Sequence, residues 1–290
     1  ICLDRSDNGY WRKDIYPGYK ASRKKGREES EINFGEVFAE IDELIIQIKE
    51  NLPWKVVEVK RAEADDIMLV LAREYNQTEK ILIHSPDKDM IQAQRNTENV
   101  FQYSSLTKKW IVPENKHDHM DHWIMEHVCL GDASDEVPRV VDSTEFSEEF
   151  IKYLFTNGID IKSPFDFKNS DIDKNLKIKL IEDFDIYKLN KAGESTGIKN
   201  IYKDIKFGPA TLKKKVQEFG SLDKWLDSHP LYRPHYERNF TLVMEEGIPN
   251  NIWNEIVVSY KEADNSYKST EIKDYLNKNN LKSILIDLDS

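Results

Sequence analysis

Four short apolar runs, Ile1 to Leu3, Val56 to Val59, Ile81 to His84 and Val100 to Tyr103, alternate with segments whose apolar residues return at helical spacing. That alternation is the signature of a parallel sheet covered by helices. Between the first two runs, Val37, Phe38, Ile41, Leu44, Ile45 and Ile48 keep helical spacing. A second helix follows Glu63, with Ile67, Val70 and Leu71 on its inner face, and a third runs from Met120 to Leu130 and stops at Gly131. The first half is therefore α/β.

After Asp142 the texture changes to Lys, Asp, Asn and Ser interspersed with short amphipathic helices. This predicts two domains, 1–142 and 143–290. The polar, glycine-containing stretch Asn190 to Asn200 reads as a loop or linker. A chain of 290 residues can bury roughly 75% of the surface that it exposes when unfolded, so no staple is required. Cys2 and Cys129 are too few for a secreted disulfide framework, which points to a reducing cytoplasm. The apolar runs fall far short of the ~20 residues that a bilayer span needs, and no signal segment opens the chain, so a soluble protein with no membrane partner is expected. Ile1-Cys2-Leu3-Asp4 reads as the end of a strand, with more chain expected upstream.

The acids fall in a pattern. Asp4 ends the first strand; Glu63, Asp65 and Asp66 follow the second; Asp87 and Asp89 follow the third. Asp132 and Asp135 come after the helix-ending Gly131. Ligands of a parallel open sheet bind beyond the carboxyl ends of its strands, so independent segments deliver acids to one rim. So many carboxylates in one place could not all ionise without cations, which implies metal. All-oxygen ligands suit Mg²⁺ or Mn²⁺, and two such ions about 3.5–4 Å apart can activate a water and stabilise the leaving oxygen of a phosphodiester. Any one of these acids alone reads as helix-dipole or turn chemistry; the recurrence at strand ends carries the inference. On an ideal helix Glu63 and Asp66 share a face and Asp65 lies roughly 200° from Glu63, so spacing leaves open which binds directly.

Net charge is −11, yet the basic residues cluster. Arg12, Lys13, Lys20, Arg23, Lys24, Lys25 and Arg27 face only Asp14 in their stretch, and Lys199, Lys203, Lys206, Lys213, Lys214 and Lys215 only Asp204. Each run alone reads as a solvated face. Tyr10, Trp11, Tyr16 and Tyr19 lie among the first and could stack on unpaired bases or pack beneath the first helix.

Glu63-Ala64-Asp65-Asp66, Ser85-Pro86-Asp87-Lys88-Asp89 and Gly131-Asp132-Ala133-Ser134-Asp135 resemble three ordered acidic motifs of the 5′-nuclease (flap-endonuclease-like) family. Leu3-Asp4 followed by Tyr10-Trp11-Arg12, Tyr19-Lys20 and Arg23 is similar to that family's segment in which a metal-binding aspartate precedes the basic base of the arch. The resemblance covers most of residues 1–140. It implies a PIN-like α/β core with a mainly helical C-terminal region. Asp4, Glu63, Asp65 and Asp87 would surround one ion, and Asp66, Asp89, Asp132 and Asp135 would hold or orient a second. Arg12, Lys20 and Arg23, with Lys13, Tyr19 and Lys24 beside them, would meet the scissile phosphate region or the threaded 5′ strand. The family carries one more aspartate on an earlier strand, which lies outside this sequence.

In the second half, Phe207-Gly208-Pro209-Ala210-Thr211, then Lys213, Lys214, Lys215 and Phe219-Gly220-Ser221, resemble the family's helix-three-turn-helix motif, where a K⁺ ion can assist a duplex clamp. A glycine turn before a helix presents N–H groups to a phosphate, and the lysines add charge. Lys206 replaces the usual glycine, and about 75 residues separate Asp132 from Gly208, a long insertion similar to the phage ribonuclease H branch. Tyr236-Glu237-Arg238-Asn239 is similar to a later helix of the family, with a surface salt bridge as the plain reading of Arg238.

The resemblance implies a monomeric 5′-3′ exonuclease or flap endonuclease acting on 5′ ends, flaps and RNA–DNA duplexes in a phage-infected cell, where it would remove RNA primers. A single-strand-binding protein and a sliding clamp are its candidate partners. Two rivals stand beside it: a catalytically silent nucleic-acid binding module lacking the first aspartate, and a phosphohydrolase of small esters, against which the basic runs argue. Gly193-Glu194-Ser195-Thr196-Gly197 matches a serine-hydrolase pattern but lacks the preceding apolar strand. His117, His119, His122 and His127 lack cysteines at zinc spacing and read as a polar helix face. No dinucleotide or P-loop glycine pattern appears.

Overall fold

A computed structural model describes residues 1–4, 9–113, 118–142, 144–192, 201–203, 205–266 and 269–281. The Gly193 to Gly197 pattern, His117 and the side chains of Lys24 and His119 lie outside the described residues. In chain order the elements are β1 (Cys2–Leu3), α1 (Arg12–Ile15), α2 (Ser22–Glu28), α3 (Phe34–Asn51), β2 (Val57–Glu58), α4 (Ala64–Tyr75), β3 (Ile81–His84), a 3₁₀ turn (Lys88–Gln94), β4 (Val100–Ser104) and β5 (Lys109–Ile111). They continue as α5 (Asp118–Leu130), α6 (Glu148–Thr156), α7 (Pro164–Asn169), α8 (Lys174–Ala192), α9 (Pro209–Phe219), α10 (Leu222–Asp227), α11 (Arg233–Val243), a 3₁₀ turn (Glu245–Gly247), α12 (Asn250–Glu262) and α13 (Ser269–Lys278).

All four expected strands are present. Their pairing differs from one continuous parallel sheet: among the described residues β1 and β2 form a parallel pair, with Cys2 opposite Val57. The other sheet has the order β3-β4-β5. Its β3 and β4 run parallel, whereas β5 returns antiparallel to β4 with Trp110 opposite Tyr103. The hairpin turns where Lys108 takes a left-handed conformation at φ 55°. A strand of three residues that begins with a lysine gives no alternation long enough to read.

The chain forms two compact units, Ile1–Asp121 with Thr241–Ser290, and His122–Phe240. This partition differs from a boundary at residue 142. The reason lies in the first unit's core: Val57, Val59, Ile67, Val70, Ile83 and Val100 pack with Ile248, Ile252 and Ile256 from the far end of the chain. Each such side chain, fully buried, contributes about 1.5–3 kcal/mol. Polar flanking texture had hidden α12, whose apolar stripe belongs to the N-terminal sheet.

Helix α3 also departs from expectation. It forms where its spacing predicts, capped by Asn33, whose side chain accepts from the N–H groups of Gly35 and Glu36. However, no residue of it is fully buried, and Val37, Phe38, Ile41 and Leu44 are exposed. Among the described residues its C-terminal end packs, where Ile48 and Leu52 meet Ile272, Tyr275 and Leu276.

Among the described residues the second unit shows two cores. One gathers Cys129, Val140, Val141, Phe207, Leu212, Trp225 and Leu226. The other is aromatic: the Phe150 ring centroid lies 4.8 Å from that of Phe146 and 4.9 Å from that of Phe184. Both cysteines are free thiols, and burial pushes Cys129 up to about 12. Among the described residues no helix is long and apolar enough to cross a membrane.

Candidate functional site

Because β1 and β2 are neighbours in parallel register, the acids that follow them arrive together. Asp4 Oδ1 accepts a 2.7 Å hydrogen bond from the backbone N–H of Ala64, the first residue of α4. Glu63 caps that helix through a reciprocal box with Asp66: each side chain accepts from the other residue's backbone N–H. Asp87 is placed by its own loop. Its N–H donates to Ser85 Oγ (3.1 Å), and its Oδ1 accepts from Asp89 N–H (2.9 Å) at the start of the 3₁₀ turn.

Asp65 sits where these charges converge. Burial, then the charges of Asp87 and Glu63, and also Asp4, push its carboxyl up to about 7, while Lys20 pulls the other way. A carboxylate this reluctant to ionise among other carboxylates is one that a cation relieves. The donor chemistry of Asp4, Asp65 and Asp87, all oxygen, fits a hard divalent ion.

Three expected site residues do different work. Asp66 is fully buried, and both its oxygens are engaged: Oδ1 with Arg12 Nη2 (2.7 Å), Oδ2 with Arg12 Nη1 (3.0 Å), Trp11 Nε1 (3.0 Å) and Glu63 N–H (2.9 Å). This arrangement makes it the acceptor of a structural arginine rather than an ion ligand. Arg12 itself, expected to meet phosphate, is 5% exposed. It donates to Glu63 Oε2 (2.8 Å) as well as to Asp66, and from Nε to the Leu242 carbonyl (2.7 Å). Burial works against its charge, but Asp66, Tyr19 and Glu63 outweigh that and hold the guanidinium above its ordinary value. Tyr19, expected to touch nucleic acid, is also buried, and its hydroxyl donates to Glu63 Oε2 (2.8 Å).

Lys20 remains at the carboxylates. Its Nζ pairs with Glu63 Oε1 and lies over the Tyr19 ring, 5.0 Å from the centroid. Glu63 is therefore held by Arg12, Tyr19 and Lys20 together. Lys13 is half-buried on α1, and Arg23 is exposed on α2.

In the second unit, Asp132 and Asp135 stand in a tight loop. Gly131 adopts φ +67°, and a Cβ there would lie 2.3 Å from the Val137 carbonyl oxygen, so only glycine fits. Asp132 Oδ1 accepts from Ser134 N–H (2.7 Å), Ser134 Oγ (2.6 Å) and Asp135 N–H (3.3 Å). Burial raises its carboxyl, but the bonds from Ser134 and Asp135 and the charge of His127 bring it below its ordinary value. Asn239, fully buried on α11, donates to the Val128 (2.9 Å) and Pro138 (2.7 Å) carbonyls that flank this loop. Of the histidines, His122 pairs with Glu126 (3.1 Å) and His127 stacks on Trp123.

Helix α9 begins at Gly208, which supplies no side-chain cap, and has Pro209 in its first turn. It ends at Gly220, left-handed at φ 82°, and Ser221 then caps α10 by accepting from Lys224 N–H. Leu212 faces the core, Thr211 is half-buried, Lys213 and Lys214 are exposed, and Lys215 pairs with Glu218 (3.0 Å). The segment is a helix-turn-helix with its lysines on the outer side of α9.

Acids at the ends of parallel strands on an α/β core form a rim of oxygen donors suited to a divalent ion. Residues 1–123 match the 5′-3′ exonuclease N-terminal, resolvase-like domain. Ribonuclease H of Enterobacteria phage T4 is 33% identical over 147 residues, 50% of this chain and 47% of that protein. DNA polymerase I of Rhizobium leguminosarum is 31% identical over 141 residues, 45% of this chain and 12% of that protein. The chain thus spans about half the length of the phage relative. Among solved structures, the bacteriophage T5 5′-exonuclease with bound divalent zinc superposes with TM-score 0.53 at 12% identity, covering 90% of this chain and 81% of that one. The T5 flap endonuclease complexed with DNA and metal ions gives 0.53 at 12%, covering 87% and 78%. These likenesses establish the fold.

The glutamines Gln92 and Gln102, buried beneath the Asp87 loop, escape a motif-based reading. Their signal is a polar residue at an inward position of an apolar run, as Gln102 is between Val100 and Ser104.

Proposed function

We propose that this chain is a divalent-metal-dependent 5′-3′ nuclease that hydrolyses phosphodiesters at 5′ ends or flaps of branched DNA and RNA–DNA duplexes. The observation that carries the reading is Asp65, held half-buried against the charges of Asp87, Glu63 and Asp4 at the strand ends. Asp4, Asp65 and Asp87 would hold a Mg²⁺ or Mn²⁺ ion, with Asp89 beside them; the role of Asp132 and Asp135 toward an ion is proposed from the family resemblance alone. A bound ion of this kind supplies a nucleophilic water and charge stabilisation for the leaving oxygen. The protein's part is to fix the carboxylates: Ser85 and the Asp89 N–H orient Asp87, and Ala64 N–H orients Asp4.

The pairing of Lys20 with Glu63 puts its charge beside the carboxylates. Arg23 on α2 and the outer lysines of α9 would meet backbone phosphates. A K⁺ ion at the α9–α10 turn and the removal of RNA primers in phage replication complete the proposal, both from the family resemblance. The phage T4 relative is named a ribonuclease H, which supports the RNA–DNA substrate.

The test is Asp87→Asn on 5′-labelled flap DNA and RNA–DNA duplex in Mg²⁺. Turnover should fall by about two orders of magnitude or more with substrate affinity nearly unchanged. Equal cleavage by the variant would contradict the role given to Asp87, and no cleavage by either protein together with tight binding would favour a binding module instead.

A further inference from the structure

The Asp87 loop is held from below by side chains that none of the acidic motifs contains. Gln102, 1% exposed on β4, donates from Nε2 to two main-chain carbonyls, Ser85 (3.0 Å) and Asp87 (2.6 Å). Its Oε1 is buried with no hydrogen-bond partner among the described residues. Turning the amide over would set that oxygen against both carbonyls, so the orientation is dictated by the loop, at the expense of the oxygen. Gln92, also 1% exposed, donates to the Asp89 carbonyl (3.0 Å) and to the Val243 carbonyl (3.2 Å), and accepts from the Glu245 N–H (2.8 Å). One buried amide thus grips the loop from the sheet, and the other ties it to the segment by which the chain re-enters this unit.

We propose that Gln102 and Gln92 are positioning residues for the ion-binding carboxylates: they fix the backbone of residues 85–89 so that Asp87 and Asp89 present their oxygens in one arrangement. The proposal rests on the metal-dependent reading above. Groups that orient ligating carboxylates without touching the ion change metal affinity by about 10- to 100-fold when lost. A purely structural role would instead lower stability and leave affinity alone.

The two roles separate with Mn²⁺ as the probe and the full chain as the sample. Free Mn²⁺ is followed by paramagnetic resonance, and unfolding by heat, for wild type, Gln102→Met, Gln92→Met and the control Asn76→Leu. Asn76 is similarly buried, and its side chain donates to the Ala72 and Arg73 carbonyls, away from the acidic loop. Each glutamine variant should bind Mn²⁺ about 10-fold or more weakly, while Asn76→Leu loses comparable thermal stability at wild-type affinity. If either glutamine variant fails to fold, the other carries the test. Wild-type Mn²⁺ affinity in a folded glutamine variant, or an equal loss in Asn76→Leu, would overturn the positioning role. Absence of Mn²⁺ binding by the wild type would overturn the metal-dependent reading itself, and this proposal with it.

Discussion

Asp65 and Asp66 are adjacent, yet one helical step turns a side chain by about 100° and gives them opposite surroundings. Asp66 points inward to Arg12 and Trp11, and Asp65 meets the charges of Asp87, Glu63 and Asp4. Helical spacing had put Glu63 and Asp66 on one face, and they do share Arg12. What spacing left open was which face meets the other carboxylates, because that depends on where β1 and β3 deliver their own acids. Arg12 was harder to read. A basic residue among basic residues looks solvated, and nothing local reveals that its guanidinium meets Leu242, 230 positions away. The strain on Asp65 has a sign. Its carboxyl is raised from 3.8 to about 7 in the folded protein, so the folded state holds a proton that the unfolded state releases. Its stabilising contribution is fully present below the unfolded value and is lost as pH rises through about 7. Asp65→Asn should therefore raise the metal-free Tm at pH 8 and flatten its dependence between pH 5 and 8, as followed by circular dichroism, while abolishing Mn²⁺ binding. An unchanged Tm at pH 8 would show that the carboxylate is not under strain.

At the scale of elements, periodicity located α3 and α4 equally well but could not say what covers them. Helix α4 buries Ile67, Leu69, Val70 and Ala72 in the sheet core. Helix α3 leaves Phe38, Ile41 and Leu44 exposed and, among the described residues, packs at its end against α13. An apolar stripe states that a helix has a face to hide, and its partner is a property of the tertiary fold. The consequence is measurable in denaturant. Ile41→Ser should change stability by no more than about 0.5 kcal/mol, whereas Leu276→Ala, which empties a fully buried position, should cost about 2–5 kcal/mol. Equal losses would mean that α3 is packed along its whole length. Four strands were legible as short apolar runs, and β5 was missed because a three-residue strand beginning with Lys109 carries no alternation.

Across the whole molecule, the parts of the sequence that looked most alike in composition do not fold together. Residues beyond 142 share a polar texture, but Ile248, Ile252 and Ile256 complete the core beneath the N-terminal strands. The segment 242–245 also accepts from Arg12 and exchanges hydrogen bonds with Gln92. A fragment of residues 1–142 should accordingly lack a cooperative thermal transition, and adding back 241–290 in the same chain should restore one; cooperative unfolding of the short fragment would contradict this partition. Charge is arranged on the same scale: a net −11 repels nucleic acid in general, while Arg23 and the α9 lysines offer local attraction, so binding is expected to be confined to those faces. The most direct measurement is cleavage of a 5′-labelled flap by the intact chain in Mg²⁺ and again with EDTA. Short labelled products that vanish on chelation are the predicted result, and products that persist in EDTA would contradict a mechanism built on strand-end carboxylates and a divalent ion.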